Sequence, residues 1–161
     1  MNAPHKILVV SSIVSGTTAL YLIDALRDLG HEVFVLSDRA HPTVNGLANC
    51  VVNVPRWIRQ RQLNPDIVFF VEGGTRLIFP SGMEHLDCVT AWYAIDSHLH
   101  LGQHLAIARL FDVTFVAHLE FVHHFRDGEA HWLPVASDPR LHAPAKGQRD
   151  IDVAYIGSDH R

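Results

Sequence analysis

Lys6-Ile7-Leu8-Val9-Val10-Ser11-Ser12, then Leu20, Ile23, Leu26 and Leu29 at three-residue steps, then Gly30-His31-Glu32-Val33-Phe34-Val35-Leu36-Ser37: the reading of this stretch decides the fold. Its first block is a continuous apolar run, the pattern of a strand buried on both faces of a parallel sheet. From Thr17 the period becomes helical, with Asp24, Arg27 and Asp28 between the apolar positions. Gly30 stands where a helix C-cap belongs. His31 to Ser37 reads as a second strand. About twelve helical residues between two strands make a βαβ unit, whose crossover is expected to be right-handed.

The alternation continues outward. Cys50 to Val54 reads as a third strand, and Pro55 opens a short helical stretch carrying Arg56, Arg59 and Arg61. Asn64-Pro65-Asp66 breaks the chain before a strongly apolar strand, Ile67 to Val71. Pro80-Ser81-Gly82 marks a loop. Val89 to Ile95, Val113 to Ala117 and His131 to Val135 read as strands, with helices over Leu99 to Leu110 and Glu120 to Arg126. Pro139 to Asp150 has no apolar period and reads as a linker, and Ile151 to Ile156 as a last strand. The expected architecture is α/β, an open parallel Rossmann-like sheet with helices on both faces. Residues 1–150 form that domain, and 151–161 hold the last strand.

Composition bounds the function. The 161 residues are 48% hydrophobic and 19% charged, enough apolar material for one real core. Thirteen Lys and Arg against 17 Asp and Glu give a formal charge of −4, which argues against nucleic-acid binding through a basic surface. Two cysteines make no disulfide framework, so a reduced, cytoplasmic setting is expected. The apolar N-terminal run is broken by Ser11-Ser12 and Ser15-Gly16-Thr17-Thr18, which suits neither a signal peptide nor a membrane span. Histidine is the outlier: 13 residues, whose full protonation would carry the formal charge from −4 to +9.

In open parallel sheets ligands lie beyond the carboxyl ends of the strands. After the first strand come Ser11, Ser12, Ser15, Gly16 and Thr17; after Ile67–Val71 come Glu72, Gly73, Gly74 and Arg76. Asp96, Ser97 and His98 follow Val89–Ile95, His118 and Glu120 follow Val113–Ala117, and Ser137-Asp138 follow His131–Val135. Strand-to-helix turns use Ser, Thr and Gly anyway, for caps and tight bends. Glu72, Arg76, Asp96, His98 and His118 exceed that need and point to a binding cleft.

A helix N-terminus behind Ser15 to Thr18 offers backbone amides to an anion. The chain nevertheless lacks both G-x-G-x-x-G and a P-loop signature, so neither a dinucleotide nor a P-loop nucleotide is supported, although Asp38 ends the second strand where a ribose-binding acid would sit. Asp96 beside His98 is a carboxylate–imidazole pair suited to general acid–base work. His98, His100 and His104 give a metal-dependent enzyme as a further alternative. Without H-E-x-x-H or a near cysteine, a solvated helix face explains them better, and no metal is expected. His123-His124 suit the end of a helix. No G-x-S-x-G elbow presents Ser97 as a nucleophile.

Three stretches resemble a known family when taken together: Pro65-Asp66-Ile67-Val68-Phe69-Phe70-Val71-Glu72-Gly73-Gly74; Ala91-Trp92-Tyr93-Ala94-Ile95-Asp96-Ser97-His98 continuing through Ala108-Arg109-Leu110-Phe111-Asp112 to Phe115-Val116-Ala117-His118; and His131-Trp132-Leu133-Pro134-Val135-Ala136-Ser137-Asp138-Pro139 with Asp152-Val153-Ala154-Tyr155-Ile156-Gly157-Ser158. They resemble the amino-terminal half of the CgeB-like (spore maturation protein type) bacterial glycosyltransferases, of GT-B fold and related to glycosyltransferase family 4. The resemblance implies two Rossmann-like domains across a cleft and no catalytic metal or other cofactor, with a nucleotide-sugar as donor substrate. It implies an acceptor-side role for this domain, binding a carbohydrate or glycosylated acceptor. The Asp-Val-Ala-Tyr-Ile-Gly-Ser stretch resembles the start of the family's second domain, so the donor half is expected from a missing domain or a partner chain, and the domain is expected to be inactive alone. Asp96 and His98 are the expected catalytic groups. A different class remains open: a non-catalytic sugar- or partner-binding module that pairs with another chain or a second copy of itself.

Overall fold

Alternate residues of the first strand, β1 (Lys6–Val10), enter opposite cores: Leu8 and Val10 one, Ile7 and Val9 the other. With both faces buried, the strand has no use for polar alternation, which is why it reads as a continuous apolar run. The structure is a computed structural model that describes residues 3–13, 16–38, 51–73, 78–125 and 129–140, with isolated positions 142, 143, 147 and 153.

After β1 come α1 (Thr18–Asp28), β2 (Glu32–Leu36), β3 (Val51–Asn53), α2 (Val54–Gln60) and β4 (Ile67–Val71). They are followed by β5 (Phe79–Ser81), β6 (Val89–Ala94), α3 (Ser97–Ala108), β7 (Val113–Val116) and β8 (Ala130–Trp132). Six strands form one sheet in the order β2-β1-β4-β6-β7-β8, every neighbouring pair parallel. The open, parallel, Rossmann-like sheet expected from the pattern is therefore present, and α1 covers one face through Ala19 and Ile23. α2 covers the other through Val54, Trp57 and Ile58, and α3 lays Leu101, Leu105 and Ile107 against that same core.

Local chemistry sets the ends. Gly30 takes a left-handed φ of 87° just past α1, as its place beyond the last apolar turn required. Asn53 caps α2 by accepting the N–H of Arg56 at 2.9 Å. At the amino edge the Asp66 carboxylate accepts the Lys6 N–H at 2.8 Å, tying β1 to the turn that opens β4.

Two expectations shift, and a third lies outside the described residues. The third strand is shorter and leaves the main sheet: β3 pairs in parallel with β5, a strand inside the stretch read as a loop. Pro80 is tolerated there because a two-stranded sheet is all edge. The helix expected over Glu120 to Arg126 is a 3-10 helix, Leu119–His124. The last strand, Ile151 to Ile156, lies outside the described residues except Val153, which is 87% exposed.

Candidate functional site at the carboxyl edge

The chain runs from β1 outward to β2, then returns to the far side of β1 as β4. That reversal is the topological switch point, and because all six strands are parallel their carboxyl ends share one edge. Ser11 and Ser12 follow β1, Glu72 and Gly73 follow β4, Asp96 to His98 follow β6, and His118 lies just beyond β7. Ser12, Glu72 and Gly73 are buried, Asp96 and His118 half-buried, and His98, Glu120 and Gly16 exposed. Ser15, Gly74 and Arg76 lie outside the described residues.

Glu72 differs from its expected role as a wall of the cleft. It is turned inward and organises the edge from below. Its Oε2 accepts the backbone N–H groups of Ile95 and, at 3.0 Å, Asp96. Its Oε1 pairs with His104 Nε2 at 3.2 Å, and His104 Nδ1 pairs with the Ser97 hydroxyl at 3.0 Å. An ionised carboxylate only accepts, so Nε2 carries the hydrogen and Nδ1 faces Ser97. Burial opposes ionisation of Glu72, but the hydrogen bonds from His104 and from the Asp96 amide, with the charge of His104, hold its carboxyl below the ordinary value.

Ser97–His104–Glu72 has the order of a nucleophilic triad, yet Ser97 is 0% and His104 1% exposed. No substrate reaches that hydroxyl, so the relay is a clamp on the turn between β6 and α3. It also removes His104 from the solvated helix face expected for it. Both its ring nitrogens are engaged, and α3 breaks helical geometry at His100 (φ −128°, ψ 28°), so His98, His100 and His104 do not assemble as one ligand set. No group of three His, Cys, Asp or Glu residues suited to a metal occurs among the described residues.

What the clamp presents outward is Asp96 and His98. The His98 ring packs edge-on against His118, centroids 4.8 Å apart, so the ends of β6 and β7 place two imidazoles side by side. Among the described residues His118 Nδ1 is buried without a hydrogen-bond partner, and Phe121 backs its ring at 6.2 Å. The arrangement provides a carboxylate and an accessible imidazole within three residues, over the hydrogen bonds of Glu72, His104 and Ser97.

A second feature was not legible. A cavity of about 370 Å³ opens between α1 and the chain leaving β8, lined by Thr18, Tyr21, Leu22, Ala25, Tyr93, Leu133, Pro134 and Ala136 among others. The Tyr93 hydroxyl donates to the Leu133 carbonyl at 2.9 Å, and burial pushes its pKa up to about 12. At the rim Arg140 bridges Asp138 (2.6 Å) and Asp28 (2.9 Å), and holds the Asp138 carboxyl below its usual value. Ser137-Asp138 after a strand was the one sequence signal for this region, while Tyr93 inside an apolar strand read as plain core.

No family model matches the chain, and neither a curated protein nor a solved structure shows significant similarity to it. Among the described residues no helix is long and apolar enough to cross a membrane.

Proposed function

We propose that this chain is the acceptor-binding Rossmann-like half of a glycosyltransferase of CgeB-like, GT-B type, working with a nucleotide-sugar-binding half supplied by a further domain or a partner chain. The observation that carries the reading is the clamped turn at the carboxyl edge, where Glu72 fixes the amides of Ile95 and Asp96 while His98 stays exposed against His118. Sugar transfer needs an acceptor hydroxyl held still while its proton is taken. An imidazole and a carboxylate on a rigid turn suit that task, and no metal ligand set is required for it. His98 is the expected general base or orienting group, Asp96 its carboxylate neighbour, and Ser12, Gly16, Thr17, His118 and Glu120 the lining of the acceptor site.

The reading is tested on the chain by recording amide and imidazole resonances while titrating a panel of oligosaccharides. At least one is expected to move the signals of Asp96, His98 and His118 together, and His98→Ala is expected to weaken that binding about tenfold or more. Carbohydrates that bind elsewhere, leaving these three unmoved, would sink the assignment.

A further inference from the structure

Trp132 is the one tryptophan that the fold leaves open. Trp92 and Trp57 are buried, while Trp132 is 52% exposed at the end of β8, the outermost strand of the sheet. Its ring is nevertheless held. The indole nitrogen donates to the Ala117 carbonyl at 3.2 Å, one residue beyond its register partner Val116, so the ring leans over the carboxyl end of β7. The register also fixes the face it occupies. Ala130 packs on the core that buries Val116, and Trp132, two residues on and paired with Val116, shares that face. His118 follows Val116 by two residues in extended backbone (φ −105°, ψ 116°), so it lies on the same face. Phe121, beside His118, packs on that core too, as does α3, whose first turn carries His98. Trp132, His118 and His98 thus share one face at one edge of the sheet, with β7 standing between β6 and β8.

A single exposed indole is ordinary. This one is fixed by its nitrogen, keeps flat apolar surface toward water, and stands on the face and edge of the imidazole pair. We infer, resting on the acceptor reading above, that Trp132 is the stacking platform for a second pyranose ring, and that the acceptor is an oligosaccharide rather than a single sugar. The face of an aromatic ring carries the negative part of its quadrupole, while the C–H groups on one side of a pyranose are slightly positive and shed water when covered. Spacing supplies the second part of the argument. The strand that carries Trp132 stands two strand spacings from β6, which leads to Asp96, a separation of about 10 Å between backbones. One pyranose ring does not cover that span. A sugar whose hydroxyl meets Asp96 and His98 therefore leaves Trp132 to its neighbour in the chain. The competing occupant is a second copy of this protein seated along β8. Interface cores are poor in charged groups, and Asp96 and Glu120 on the same edge favour the sugar.

The test titrates wild type, Trp132→Leu and Trp132→Phe with cellotriose, chitotriose, the methyl monoglycoside of each, and sorbitol. Calorimetry reads the affinity, and the indole N–H resonance of Trp132 reads the contact. At least one trisaccharide is expected to bind about tenfold or more tightly than its monoglycoside, and to move the Trp132 resonance together with those of Asp96, His98 and His118. Trp132→Leu keeps apolar bulk without a flat ring; it is expected to lose that advantage while its monoglycoside affinity stays within about twofold of wild type. Trp132→Phe keeps a flat ring without the N–H to Ala117, and is expected to retain most of the advantage, which a merely structural role for the hydrogen bond would not allow. Sorbitol, with hydroxyls but no ring face, is expected to leave the Trp132 resonance in place. A trisaccharide no tighter than its monoglycoside, an advantage that survives in Trp132→Leu, or a resonance that sorbitol moves equally would each overturn the platform. A Trp132 resonance that shifts with protein concentration alone would overturn it in favour of a second copy. Binding that moves Asp96, His98 and His118 but not Trp132 overturns the platform and leaves the acceptor reading; binding that moves Trp132 alone leaves a sugar platform and removes the acceptor reading.

Discussion

Replacement of Glu72 by alanine removes the shared acceptor of three donors: the half-buried N–H groups of Ile95 and Asp96 and the buried Nε2 of His104. A buried donor left without a partner costs about 1–3 kcal/mol. The donors share one carboxylate and relax together, so their losses do not simply add, and Glu72→Ala is expected to lose about 3–5 kcal/mol. For a chain of this size that is a fall in Tm of about 6–20 °C. Glu72→Gln keeps the shape and one acceptor oxygen, and should lose only about 1–2 kcal/mol. Urea unfolding followed by circular dichroism at neutral pH measures both, as a midpoint shift at unchanged slope. The sign with pH is fixed. Because the folded carboxyl titrates below its ordinary 4.5, its contribution is present above pH 4.5 and is lost as pH falls through the lower folded value. The gap between wild type and Glu72→Gln should therefore close in acid. An alanine variant within about 0.5 kcal/mol of wild type, or a gap that widens in acid, would refute the clamp.

Tyr93→Phe loses one buried hydrogen bond to Leu133, about 1 kcal/mol at neutral pH. Tyr93 titrates near 12 when folded against 10.0 otherwise, so its contribution is complete below pH 10 and lost as pH rises through 12; the variant should lose less stability over that interval in an alkaline melting series. Gly82→Ala places a Cβ 3.3 Å from Pro55 Cγ and Cδ at a φ of 77°, and is expected to cost about 1–2 kcal/mol in a urea titration. Phe111→Ala empties a buried position packed against Phe70 (5.1 Å) and Trp92 (6.1 Å), and the same titration should show a loss of about 3–5 kcal/mol.

The sheet was legible because its signal is local and repeated. Ile67–Val71 is a strand to the residue, since five apolar positions between Asp66 and Glu72 admit little else. β5 was not, because Phe79, Pro80 and Ser81 form a strand only through β3, some thirty residues away, and nothing in three residues announces a distant partner. Asp96, His98 and His118 could be placed on one edge because strand ends are enough to do so. The role of Glu72 could not, since it depends on His104 reaching back from the third turn of α3, and i, i+4 spacing with His100 suggested a shared outer face instead. Asp38 was visible as a strand-end acid, but that its carboxyl is buried without a hydrogen-bond partner among the described residues is a fact of packing that no spacing reveals.

The clamp also has an optical consequence. His104 meets Trp92 edge to face, ring centroids 5.0 Å apart, while the other two indoles lie elsewhere: Trp57 under the Arg61 guanidinium at 4.2 Å, and Trp132 52% exposed on the outermost strand. An imidazole beside an indole quenches its emission, and does so most strongly when it carries a proton. Trp57 is buried as well, so with Trp57 replaced by phenylalanine the blue-shifted emission of Trp92 becomes a gauge of whether Glu72 and His104 are still joined. It turns any event at the Asp96–His98 turn into a change of light that needs no label and no substrate.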